Sequence, residues 1–142
     1  MRKTEHRTSN IEHRTLKDGN EQYDLEERLL DFAARIIRMS EKVPRTRPGN
    51  HVAGQVLRSG TSPLSNHGEA QAGESPADFL HKLKVCLKEL RETHRWLRLI
   101  HRVPLIKKPA RLDPLVKECD ELIRIFVASV RTSEANQGLR PV

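Results

Sequence analysis

From Leu115 to Val130 the apolar residues Leu115, Val116, Cys119, Leu122, Ile123, Phe126, Val127 and Val130 return every three or four positions, the spacing that collects side chains along one face of an α-helix. A face of that width has to be buried against another element, so it constrains the fold more than any single residue does. Three other segments repeat the pattern. Leu25, Leu29, Phe32, Ile36 and Met39 form a stripe widened by Leu30, Ala33 and Ile37; Leu83, Cys86, Leu87, Leu90, His94 and Leu97 share a second face; Ala53, Val56, Leu57, Gly60 and Leu64 form a weaker third. In a chain of 142 residues with 36% hydrophobic and only 4% aromatic residues, the core has to come from Leu, Ile, Val and Ala, which suits packed helices over a β-sandwich. The expected class is all-α. Connections of roughly six to ten residues point to an antiparallel up-down four-helix bundle across residues 22–132.

Local signals set the boundaries. "VPRTRPG" closes the first helix with two prolines and a glycine. In "ESPADF" Ser75 can cap, Pro76 takes the first helical position and Asp78 completes a capping-box arrangement; "LDPLVKEC" repeats the logic with Asp113 as cap and Pro114 in the first turn. Residues 1–21 alternate charges with Ser, Thr and Asn and have too little apolar surface to offset the entropy of ordering. They are expected to form a flexible charged tail, with a second tail at 133–142.

The stretch "RSGTSPLSNHGE" resembles a linker in composition, yet it falls inside the second helical pattern. Gln55, Ser59, Ser62, Asn66 and Glu69 follow at intervals of four, three, four and three, which on a helix places them in a stripe opposite the apolar one. Pro63 removes a backbone bond and implies a kink or break near Gly60. Two readings stay open: a polar helix–helix contact, or a solvated face with a joint at 60–63.

Charge is the second strong pattern. The chain has 26 basic and 19 acidic residues, a net of +7, which favours polyanionic partners. On the third helix His81, Lys84, Lys88, Arg91, Arg95, Arg98 and Arg102 recur at intervals of three and four with no acid among them, a basic ridge about 30 Å long at the helical rise. Lys107, Lys108 and Arg111 continue it. Such a ridge matches phosphates along a nucleic-acid backbone; equally, acids of the first helix (Glu26, Glu27, Asp31) or the last (Glu118, Asp120, Glu121) could neutralise it. Five aromatic residues leave little for base stacking, so contact is expected with the backbone. The other flank of this helix, Lys82, Val85, Glu89, Glu92, Thr93 and Trp96, reads as a subunit contact or a bundle edge.

Chemistry is hard to find. There is no glycine-rich phosphate loop, HExxH, GxSxG or acidic nuclease pattern, and the seven histidines show no metal spacing. The chain is expected to be non-enzymatic, without cofactor or metal. Cys86 and Cys119 fall on apolar faces and read as reduced core residues. No run approaches a membrane span of roughly 20 residues, and the N-terminus lacks the apolar part of a signal peptide, so a cytoplasmic location with no membrane contact is expected.

The segments "YDLEERLLDFAARIIRMSEKVP", "QVLRSGTSPLSNHGEA", "SPADFLHKLKVCLKELRETHRWLRLI" and "ECDELIRIFVASVRT" resemble the bacterial four-helix-bundle proteins encoded in intervening sequences of 23S ribosomal RNA genes. Arg58, Ser59, Ser62, Asn66 and Glu69, with Phe79, Lys82, Leu83, Lys88, Glu89, Glu92, Thr93, Trp96 and Leu97, carry the likeness. His67-Gly68 and Gly73 depart from the usual pattern. The resemblance implies a homopentamer around a central channel, and kinship with the accessory variability determinant of diversity-generating retroelements, a basic bundle that works with a reverse transcriptase and nucleic acid. It assigns Arg58, Ser59, Ser62, Asn66, Glu69, Lys82, Glu89, Glu92 and Trp96 to the family motif or an oligomer interface.

Two functions follow. One is a basic oligomeric scaffold that binds RNA or DNA through Lys84, Lys88, Arg91, Arg95, Arg98, Arg102, Lys107 and Lys108. The other is a protein-interaction adaptor that docks onto an enzyme partner such as a reverse transcriptase.

Overall fold

A computed structural model of the chain describes residues 10–139, with side chains described for 24–139. Four α-helices follow one another: α1 (Asn10–Ser40), α2 (Arg47–Gln71), α3 (Pro76–Arg102) and α4 (Asp113–Asn136), with a 3₁₀ turn at Pro109–Leu112 ahead of α4. Among the described residues there is no strand. The helices form a bundle in which α2 packs against both α1 and α3, and α3 packs against α4.

The apolar stripes meet in one core. Phe32, Ile36, Val56, Cys86, Leu90, Leu97, Ile100, Cys119, Leu122 and Phe126 are fully buried, and each was on an expected helix face except Ile100. Both cysteines are free, and burial pushes each thiol up to about 12. Their S–H groups donate to backbone carbonyls of neighbouring helices, Cys86 to Pro63 at 3.6 Å and Cys119 to Leu90 at 3.3 Å.

Ser75 caps α3 as expected, its hydroxyl accepting from the Asp78 amide at 3.1 Å with Pro76 in the first turn, while the return bond of a capping box, from the Ser75 amide to the Asp78 carboxylate, does not form among the described residues. A second cap was not anticipated: Thr46 accepts from the Gly49 amide at 3.1 Å and starts α2 with Pro48 in its first turn. "RPG", expected only as part of the segment that closes the first helix, therefore opens the second. At α4 the expected cap is wrong. Asp113 already lies inside the helix, and Leu112, from the preceding 3₁₀ turn, holds the cap position with no side-chain bond.

The ends of the bundle also differ from expectation. Residues 10–21, assigned to a tail for want of apolar content, belong to α1, and residues 1–9 lie outside the described residues. Residues 133–136, assigned to the C-terminal tail, continue α4, with Ser133 and Glu134 buried. Polar contacts extend that end. The Gln137 side-chain amide donates to the Pro76 carbonyl at 2.8 Å and the Ser133 hydroxyl at 3.0 Å. Gly138 then takes a left-handed φ of 72°, the conformation that terminates helices at low cost.

α2 runs unbroken through Pro63, so no joint divides it at 60–63. Its polar stripe is corrected as well: Ser59 is fully buried along with Gly60 and Pro63, while Glu69 is exposed. Small residues let the backbone come close. A Cβ at Gly60 would lie 2.8 and 2.9 Å from the branched carbons of Ile36, itself fully buried. Near the C-terminal end of α2, His67 is also buried, its ring edge-on to Phe126 at 6.1 Å and its Nδ1 without a hydrogen-bond partner. Burial lowers its pKa, so it packs as a neutral ring.

The glycines of α2 give a paired prediction. Gly60→Ala forces a stiff β-branched neighbour to move and should cost about 1–3 kcal/mol. Gly54→Ala meets nothing within 4 Å and should stabilise by about 0.5–1 kcal/mol. Urea titrations followed by circular dichroism check both; equal midpoints for the two variants would show that α2 does not approach α1 as described.

Candidate nucleic-acid interface

The ridge is where the spacing placed it. Lys84, Lys88, Arg91, Arg95, Arg98 and Arg102 are all exposed along α3. Among the described residues only Lys84 has an acidic partner, Glu134 Oε2 at 3.3 Å, and that residue was not among the acids expected to neutralise the ridge. Among the expected acids Asp31, Glu118, Asp120 and Glu121 are held elsewhere, while Glu26 and Glu27 are exposed on α1. Arg28 on α1 takes Glu118 at 2.8 Å and Glu121 at 3.0 Å, Arg35 takes Asp31 at 3.7 Å, and Asp120 lies 3.1 Å from His94 Nε2. Lys88, Arg91, Arg95, Arg98 and Arg102 make no ion pair among the described residues.

Beside the N-terminal half of the ridge, α3 and α4 enclose a shallow groove of about 400 Å³. Lys84, Lys88 and Arg91 line one wall, Arg131 of α4 the other, and Leu87, Val127, Val130 and the Lys84-paired Glu134 also line it. Arg131 was missed because it lies on a different helix, and spacing along α3 carries no signal for it. Lys107 and Lys108 are exposed as expected, but they line a separate cleft with Arg35, Arg38, Lys42 and Arg111. The ridge and the loop cations are thus two features.

The mixed flank of α3 faces α2. Arg58 reaches across to both Glu89, at 2.9 Å, and Glu92. Next to it the Thr93 hydroxyl donates to Ser59 Oγ at 2.9 Å inside the core. Farther along, Lys82 Nζ lies 2.7 Å from Glu69 Oε1. Asn66 does not pair with Glu69; its side-chain amide donates to the Ser62 hydroxyl at 2.8 Å and the Ser62 carbonyl at 3.1 Å within α2. Of the two readings of the polar stripe, helix–helix contact is the one the geometry supports. Trp96 is half-buried at the end of this seam, its Nε1 donating to Glu92 at 3.0 Å and its ring edge-on to His51 at 6.1 Å. These bonds hold the Glu92 carboxyl below the usual carboxylate range, the Trp96 bond most and the Arg58 bond next; the Glu92 and Glu89 bonds raise the Arg58 guanidinium.

Among the described residues no three His, Cys, Asp or Glu side chains converge as metal ligands, and no helix is long and apolar enough to cross a membrane.

The sequence matches the 23S rRNA-intervening sequence protein family over residues 21–128. The chain belongs to that family. A crystal structure of a protein of unknown function from the S23 ribosomal protein family of Bacteroides thetaiotaomicron VPI-5482 is similar to it, with a TM-score of 0.69 and 30% identity over 75% of this chain and 98% of that one. Comparison with curated proteins gives no match. In this intervening-sequence protein several of the residues that carried the resemblance pair where α2 meets α3: Arg58, Ser59 and Glu69 on one side, with Lys82, Glu89, Glu92 and Thr93 on the other.

The lowered Glu92 gives this intervening-sequence protein an acid-dependent seam. A carboxylate whose folded pKa is depressed stabilises the fold above its unfolded value, roughly 4.3, and loses that contribution as pH falls through the folded value. Glu92→Gln should therefore cost about 0.5–1 kcal/mol at neutral pH and flatten the stability profile below about pH 4.3. Emission of Trp96, the one tryptophan in the chain, provides the readout. An unchanged acid profile in the variant would remove Glu92 from the account.

Proposed function

We propose that the protein is a non-enzymatic scaffold that assembles from several copies of an antiparallel up-down bundle and binds the backbone of RNA or DNA through α3. One observation carries the reading: Lys88, Arg91, Arg95, Arg98 and Arg102 stand exposed on one helix without a carboxylate partner among the described residues. A rigid helix presents these charges in a fixed row, and each phosphate contact would release counterions. The neighbouring Arg131 widens the row across the α3–α4 groove.

Assembly as a homopentamer is what the family resemblance implies. A repeated ridge would multiply weak single contacts into avid binding on a long polyanion. Opposite ordering of paired residues supports the up-down course: from Ser59 to Glu69 on α2 the partners fall from Thr93 to Lys82 on α3. A location in the cytoplasm fits this role, since nucleic acid is available there. The reading leaves catalysis to partners.

Fluorescence anisotropy with RNA and DNA over a salt series, together with mass by light scattering, tests the proposal. Affinity should fall steeply with salt in an assembly of several subunits. Arg91→Gln, Arg95→Gln and Arg98→Gln combined should reduce the log–log salt slope by about three for each chain engaged and leave the mass unchanged. Absence of binding near physiological salt, or binding that survives the triple substitution, would remove the ridge as a nucleic-acid surface.

A further inference from the structure

The second basic feature differs in kind from the ridge. Where the end of α1, Pro44 and the α3–α4 connection come together, they enclose a cleft of about 580 Å³, within the range of sites that bury a compact ligand. Its lining is largely apolar, contributed by Met39 of α1, Leu105 and Ile106 of the connection, and Leu112 and Leu115 around the start of α4. Arg35, Arg38, Lys42, Lys107, Lys108 and Arg111 also line it, with no Asp or Glu among the lining residues. Arg35 alone has an ion pair, at 3.7 Å to an Asp31 that is 66% exposed. Among the described residues the other five cations make none.

Charge and shape together narrow the occupant. The ridge offers charge to a string of phosphates, but here a phosphate backbone would leave the apolar lining against polar sugar, and no aromatic side chain lines the cleft for a base to stack on. Aliphatic groups would cover that lining, and carboxylates beside them would meet the cations, Arg38 and Arg111 with bidentate geometry. The chain's own first nine residues are a poor fit: they carry Arg2, Lys3 and Arg7 against Glu5. We propose that this cleft docks a short acidic amphipathic segment of a partner protein, its Leu or Ile side chains against Met39, Ile106 and Leu115, and its Asp and Glu side chains against Arg38, Lys42, Lys107, Lys108 and Arg111. The site is independent of the nucleic-acid reading, because none of the ridge residues lines it.

The test uses the full chain and a short fluorescein-labelled peptide of Leu and Glu at helical spacing, read by anisotropy. Companion peptides replace Leu with Ala, or Glu with Lys. The Leu/Glu peptide should bind saturably, and both companions at least about tenfold more weakly. Arg38→Glu combined with Lys108→Glu, both exposed positions, should weaken binding about tenfold or more; Ile106→Ser should weaken it severalfold; and the Arg91/Arg95/Arg98 triple Gln variant should bind the peptide as the parent does. Circular dichroism confirms folding, and the exposed double variant carries the test should Ile106→Ser unfold. Four results overturn the proposal: no saturable binding, equal binding of the Ala/Glu peptide, loss in the ridge variant, or displacement of the peptide by a single-stranded oligonucleotide. The last would make the cleft an extension of the nucleic-acid surface.

Discussion

α2 can lie close between α1 and α3 because the residues it buries at 59 and 60 are Ser and Gly. Ser59, Gly60 and Pro63 are buried there, Gly60 leaves just enough room for Ile36 of α1, and Ser59 meets the Thr93 hydroxyl of α3 directly. The remaining contacts depend on that closeness. With the backbones drawn together, Arg58 spans to Glu89 and Glu92, Lys82 reaches Glu69, and the Cys86 thiol finds the Pro63 carbonyl. Larger residues at 59 and 60 would separate the helices and take these pairs out of range.

This also explains what could be read from the chain and what could not. Stripes of Leu, Ile, Val and Phe announce helices and their buried faces through periodicity alone, and Ser75 with Pro76 announces a start. The α2–α3 seam gives a weaker signal, since it is built from small and polar residues. Ser, Asn and Gly at helical spacing describe a solvated face as well as a tight contact, and only the facing Thr93 and Glu92 decide between them. Ion-pair partners are similarly hidden. Whether Glu118 meets the ridge or Arg28 depends on how α4 is rotated about its axis, which no spacing within α4 records. Helix ends held by polar groups were missed for the same reason: Ser133, Glu134 and Gln137 secure α4 past its last apolar residue.

The result for charge is a partition. Acidic residues on α1, α3 and α4 are engaged at Arg35, Arg58, Arg28 and His94, while most cations of α3 and of the α3–α4 connection are left facing outward. One group is linear and polar, the other surrounds an apolar hollow. A net charge of +7 thus conceals two surfaces of different chemical character, and bulk properties such as isoelectric point cannot separate their roles.

Finally, the two thiols sit at depths that ordinary fluctuations of the surface do not reach. Cys86 lies against α2 and Cys119 against α3, so each reports on a different helix–helix boundary. With no other cysteine in the chain and the thiolate strongly disfavoured at both positions, alkylation can proceed only as fast as its boundary opens. The chain therefore carries two built-in clocks, and the ratio of their rates would tell whether α4 leaves the bundle before α2 and α3 part or all three separate together.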